Sequence, residues 1–185
     1  LDVEVNDLGV YLEEAWVQMA YMYESAISMK LGRQFIELGD GFIVGDANPF
    51  FPIAMTQLGE WEVSPFDAIN VWYDGDDWML TGIFAKMSEE RTLDNLTGIG
   101  DTDMYALYFS YNGWEDYVLD VYGLMVDMNG VPTLLALASQ FLGGGLPANL
   151  DANVYAVGTR FAGSPWDGWK FKVEGVYEFG KIETA

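Results

Sequence analysis

Polar and apolar residues alternate with period two in eight separate stretches of this chain, at approximately 10–21, 26–37, 65–74, 78–88, 102–112, 116–127, 152–162 and 168–180. Period two belongs to a strand whose two faces meet different surroundings. The last stretch is the clearest. Trp169, Phe171, Val173, Gly175, Tyr177 and Phe179 share one side, and Lys170, Lys172, Glu174, Val176 and Glu178 share the other. Between these stretches there is no run of about eighteen apolar residues, the length a membrane-crossing helix needs. The chain is nonetheless half hydrophobic, with 16% aromatic residues. Aromatic and β-branched residues in many short segments predict an all-β fold.

Segment length narrows the choice. Each stretch runs to roughly ten residues, as a tilted strand needs to cross hydrocarbon. Soluble strands average about five or six. The connections follow a rule of their own. Those after the first, third, fifth and seventh segments are tight and built from turn chemistry: "MYES", "DGDDW", "YNGWE" and "AGSPWDG". Those at about 38–64, 89–101 and 128–151 are long. Strict alternation of short and long connections is the pattern of an antiparallel transmembrane β-barrel with short periplasmic turns and long external loops. Tyr21, Tyr23, Tyr73, Trp78, Tyr111, Trp114, Tyr117 and Trp169 gather at the tight-turn ends, where an aromatic girdle would meet lipid headgroups. The alternative is rings packing over their own hairpins.

The chain has no Cys and no His, which removes disulfides, Cys/His metal sites and Ser-His or Cys-His catalysis. Adjacent carboxylates such as Glu13 and Glu14 point to opposite sides of a strand and cannot converge as a glycosidase pair. No catalytic function and no resident cofactor are expected. A net charge of −21 argues against nucleic acid as a partner. The acid collects in loops, at 74–77, 88–90 and 100–103. Those loops are either solvated turns or sites where Ca2+ could bridge to anionic lipid, including lipopolysaccharide.

Alternation assigns an inward-facing, pore-lining set: Glu14, Gln18, Lys30, Asn70, Lys86, Asp120, Tyr122, Arg160, Lys170, Lys172, Glu174 and Glu178. Its charges are of mixed sign and nearly balanced, so the excess acid falls outside the membrane. Arg160, Lys170 and Lys172 form either a basic ladder for an anionic solute or partners for Glu174 and Glu178. Arg33 falls on the lipid side under strict alternation, unless a bulge at Gly32 turns it inward. The stretch "VPTLLALASQFLGGGLP" in 128–151 has the spacing of one short amphipathic helix. It and the loop at 38–64 either fold into the pore as constrictions or cap it from outside.

One set of motifs carries a family likeness. "YLEEAWVQM" at 11–19 precedes "KLGRQFIELGDGFIVGD" at 30–46, and "SPFDAINVWYDG" follows at 64–75. "VYAVGTRFAGSPWDGWKFKVEGVYEFG" comes late. With Gly32, Arg33, Gln34, Gly39, Asp40, Gly41, Phe66, Asp67, Gly158, Arg160, Phe179 and Gly180 in place, the chain resembles the alginate-export family of outer-membrane porins. The resemblance covers most of 10–181. It implies a larger barrel of roughly 16–18 strands, and passive passage of an anionic polysaccharide or other small solutes.

The resulting expectation is a porin-like outer-membrane channel for small polar or anionic solutes. The alternatives are a structural or adhesive barrel with acidic external loops, and a water-soluble aromatic-rich β-sandwich that binds carbohydrate. With short turns periplasmic, both ends of the chain fall on the external side, which suggests an internal section of a larger barrel. Closure of the first segment on the eighth, and assembly into an oligomer, stay open.

Overall fold

The computed structural model describes residues 12–45, 65–88, 101–132 and 149–184. Eight strands form a single antiparallel sheet in sequence order: β1 (Ala15–Met19), β2 (Ile27–Gln34), β3 (Phe66–Asp74), β4 (Trp78–Ser88), β5 (Asp101–Trp114), β6 (Tyr117–Pro132), β7 (Asn149–Gly163) and β8 (Phe171–Thr184). The fold is all-β. Each strand pairs with its neighbour in the chain, the sheet is open among the described residues, and the arrangement fits a β-barrel or a section of one. The alternating segments thus became strands. The two flanking the last long connection reach further than their alternation suggested, to Pro132 and back from Asn149. The apolar stretch at 134–141 lies outside the described residues, as do 46–64 and 89–100.

The tight connections hold by local chemistry. Gly75 N–H donates to the Trp78 carbonyl at 2.8 Å. Asn112 N–H reaches the Asp77 carbonyl at 2.9 Å, and Ser164 N–H the Asp116 carbonyl at 3.0 Å, so neighbouring turns are tied to one another. The turn between β1 and β2 is under strain, because Tyr21, Tyr23 and Glu24 all take positive φ without being glycine. Ser25 Oγ donates to the Met22 carbonyl there at 2.7 Å.

Register sorts the side chains into two faces, because residues directly opposite in antiparallel strands project to the same side. One face is open, and its rows can be followed across the sheet. From the tight-turn end they begin with Trp78, Tyr111, Leu119, Phe161 and Val173, then Ile27, Tyr73, Leu80, Phe109, Val121 and Thr159. Next come Met19, Met29, Val71, Leu107, Val157 and Tyr177, then Val17, Leu31, Ile69, Phe84, Tyr105, Met125, Tyr155 and Phe179. None is charged. The following row changes abruptly: Arg33, Asp67, Lys86, Asp103, Asp127, Asn153 and Lys181.

From Tyr117 to Asp127 along β6 the uncharged band measures about 33 Å at roughly 3.3 Å per residue. At a strand tilt of about 40° that is about 25 Å of height. Aromatic rings gather at the tight-turn end and pack across their hairpins. Tyr73 stacks on Trp78 at 5.2 Å, and Trp114, Tyr117, Phe161 and Phe171 pack around one another. A second belt, absent from the sequence reading, borders the charged row. Phe84 meets Tyr105 at 5.2 Å, and Tyr155 stacks on Phe179 at 5.4 Å.

The middle of the other face is covered by the chain itself. After β2, residues 35–45 cross the sheet as a strap. Ile36, Leu38, Ile43 and Val44 join Phe66, Ala68, Ile83, Ala85, Met104, Leu124 and Ala156 in one buried cluster. This is the core of the molecule.

Candidate functional site

The strap is shaped by its glycines. Leu38 N–H donates to the Val44 carbonyl at 2.8 Å, and Gly41 N–H to the Leu38 carbonyl at 3.1 Å, closing a compact loop. Gly39 and Gly41 take φ of 66° and 76°, a region open to glycine at no steric cost. A Cβ at Gly39 would run into the Glu174 carboxylate. The glycines therefore set Asp40 down against β7 and β8.

Around Asp40 the charges interlock. Arg160 Nε donates to Asp40 Oδ1 at 2.8 Å, and Lys172 Nζ lies 2.9 Å from Asp40 Oδ2. Arg160 Nη1 donates to Asp120 Oδ2 at 2.5 Å. The Asp40 backbone N–H donates to Glu174 Oε2 at 3.0 Å, and the Tyr122 hydroxyl to Glu174 Oε1 at 2.5 Å. The Tyr108 hydroxyl interacts with Asp120 and with the backbone of Gly39. Asp120 and Tyr122 are buried. A carboxylate so enclosed is tolerable because Arg160 pairs with it. Gly158 makes room for Tyr122, whose ring would collide with any Cβ at that position. The Asp40 carboxyl is held below the usual carboxylate range, first by the Lys172 hydrogen bond and then by Arg160, against a partial loss of solvent.

Of the pore-lining residues named from sequence, Asp120, Tyr122, Arg160, Lys172 and Glu174 converge here. Glu14, Gln18, Lys30 and Asn70 share the same face but form a second group at the β1 edge. Lys30 lies across from both Gln18 and Asn70, 3.9 Å from Glu14 and 4.2 Å above the Trp16 ring. Glu178 is on this face too, opposite Ala156 and exposed, away from the cluster.

Two assignments need correction. Lys86 is on the open face, opposite Asp67 and Asp103, with Asp103 Oδ1 at 3.1 Å. It shares the parity of Trp78, Leu80 and Phe84 along β4, and the register shift lies beyond it, between Lys86 and Ser88. Lys170 precedes β8 in an exposed turn, so the three-residue ladder reduces to Arg160 and Lys172. Their partners are Asp40 and Asp120 rather than the expected Glu174 and Glu178. Arg33 keeps strict alternation: the register runs through Gly32 unbroken and sets Arg33 opposite Asp67, 3.8 Å away.

Sequence reading missed Asp40 and Tyr108 as members of the site. The paired glycines flanking Asp40 were the available signal. It also missed Gln34, whose buried side-chain amide donates to the carbonyls of Gly32 and Ala68 where β2 gives way to the strap. Among the described residues no group of three or more acidic side chains is placed to hold a metal ion. Of the acidic loops, 89–90 lies outside the described residues. No known protein family, curated protein or solved structure matches this chain.

Proposed function

We propose that this chain forms the wall of an outer-membrane β-barrel, a porin-like channel for passive passage of small polar or anionic solutes. The observation that carries the reading is the open face. Two of its uncharged rows run across all eight strands, and the band they belong to stands for about the height of a hydrocarbon layer. They are edged by aromatic belts and end abruptly in charge. A soluble protein rarely leaves so large an apolar patch uncovered. The hydrogen-bonded ladders from β1 to β8 also satisfy the backbone within the sheet, as a medium without water demands. In that medium the outer edges of β1 and β8 need partners, whether each other or further strands. Lipid and lipopolysaccharide are then the lateral neighbours. The motif likeness to alginate-export porins points the same way and extends the proposal to a larger barrel.

A second reading has its own support. The middle of the covered face, at Ala68, Ile83, Ala85 and Met104, packs against strap residues instead of facing water. That suits a structural barrel whose acidic loops bind a partner or Ca2+. Reconstitution into planar bilayers separates the two. Stepwise ionic conductance is expected of a channel. Insertion without conductance favours the structural role. Monodisperse particles in buffer without detergent overturn both.

A further inference from the structure

The strap places one carboxylate where a free anion would sit. Each oxygen of Asp40 has its own cation, Arg160 Nε at 2.8 Å and Lys172 Nζ at 2.9 Å. The strap does not need that carboxylate for its apolar anchorage, which Ile36, Leu38, Ile43 and Val44 supply on either side of it. The Lys172 side chain is 63% exposed, so solvent reaches the pair.

Withdrawal of Asp40 would also leave no buried charge stranded. Arg160 keeps Asp120 through Nη1, and Glu174 keeps the Tyr122 hydroxyl. The lasting cost of removing one member of a buried ion pair is therefore avoided. What opens is the Nε edge of Arg160 beside the Lys172 ammonium, two donors for one carboxylate.

We propose that Asp40 is a tethered ligand, that Arg160 and Lys172 together form a binding site for the carboxylate group of a solute, and that such a solute frees the strap tip by displacing Asp40. The proposal deepens the channel reading and takes its purpose from it. A tethered group competes at an effective concentration in the millimolar range or above, so a weak free carboxylate must be supplied at roughly 0.1–0.5 M to displace it. Chloride at equal ionic strength screens the pair but cannot offer two oxygens.

The chain has no cysteine, so Phe42→Cys provides a single labelling position on the strap, at a side chain that is 68% exposed. A nitroxide at that position, in the full chain in detergent micelles, reports strap mobility by electron spin resonance. Sodium acetate should raise the mobile fraction several-fold over sodium chloride at matched ionic strength. Adding Asp40→Asn should make the label mobile in both salts, with the acetate response gone. Lys172→Gln, at a side chain that is 63% exposed, should shrink the difference between acetate and chloride.

Equal responses to the two salts overturn the proposal, as does an Asp40→Asn spectrum identical to the parent's. The readout needs neither a bilayer nor transport. An acetate response without conductance removes the channel and keeps the tethered ligand, and conductance without an acetate response does the reverse.

Discussion

Two neighbouring rows of side chains, one on each face, run through the middle of the sheet. On the open face the row reads Met19, Met29, Val71, Gly82, Leu107, Gly123, Val157 and Tyr177. On the covered face it reads Gln18, Lys30, Asn70, Ile83, Ala106, Leu124, Ala156 and Glu178. The first row is free of charge from one edge of the sheet to the other. The second is polar at both margins and apolar only in between, at strands where the strap packs. A uniform surrounding medium selects a uniform row, whereas a folded segment of chain selects a row that varies with what lies above each strand. The contrast supports the proposal that the open face meets a continuous apolar phase, while the covered face meets a specific piece of this molecule.

The sharpest way to break that contrast is to put charge in the uniform row. Leu107→Arg should destabilise the barrel by about 2–4 kcal/mol if that row lies at mid-membrane depth. Lys181→Ala, at an exposed side chain of the charged row, should cost under about 1 kcal/mol, as exposed charges do. Denaturant titration of refolding into lipid vesicles measures both. Were Leu107 simply exposed to water, its replacement would fall within about 0.5 kcal/mol of neutral, and equal small effects at the two positions would dissolve the distinction between the rows.

A smaller effect is expected on the covered face. Leu38 is 1% exposed within the buried cluster. Truncating a buried leucine costs about 2–5 kcal/mol in a rigid core. A strap that can undock caps that loss, so Leu38→Ala should fall near the lower end, about 2 kcal/mol. Strap mobility should rise while the strand ladders keep their protection in amide hydrogen exchange. Loss of ladder protection along with the strap would mean that the two faces do not act independently.

The sheet was legible in the sequence because every strand is amphipathic along its own length. Trp169 to Phe179 alone fixes the parity of β8, and the turn residues at 74–77 and 112–116 punctuate the β3–β4 and β5–β6 hairpins. The covered face was legible only as a list of residues. Ile36, Leu38, Ile43 and Val44 follow a strand directly and carry no period that says where they go. Asp40 meets Arg160 across 120 positions of chain, a contact set by where the strap crosses and invisible to local spacing. Lys86 shares the parity of Trp78, Leu80 and Phe84, so strict alternation along β4 sets it on the open face, in the charged row that ends the apolar band. The second aromatic belt was missed because Phe84, Tyr105, Tyr155 and Phe179 are scattered in sequence and become one row only through register.

The smallest expected effect separates the tip of the strap, around Asp40, from the apolar anchors on either side of it by chemistry. The folded-state pKa of Asp40 is depressed, chiefly by Lys172 and with help from Arg160. For a carboxylate with a depressed folded-state value, stability is fully present above the unfolded value, near 3.8, and disappears as pH falls through the lower one. Protonation of Asp40 removes the attraction. A spin label at Phe42→Cys should therefore stay immobile from neutral pH past the ordinary carboxylate range and loosen only below about pH 4. A label at Glu37→Cys, beside the apolar anchors, should stay immobile at the same acid pH, because burial of Ile36 and Leu38 does not titrate. Release of the Phe42→Cys label above about pH 5 would show that Asp40 is not held by the two cations. Simultaneous release of both labels would mean one attachment where the structure has two, with the apolar core unable to hold the strap once its charge is gone.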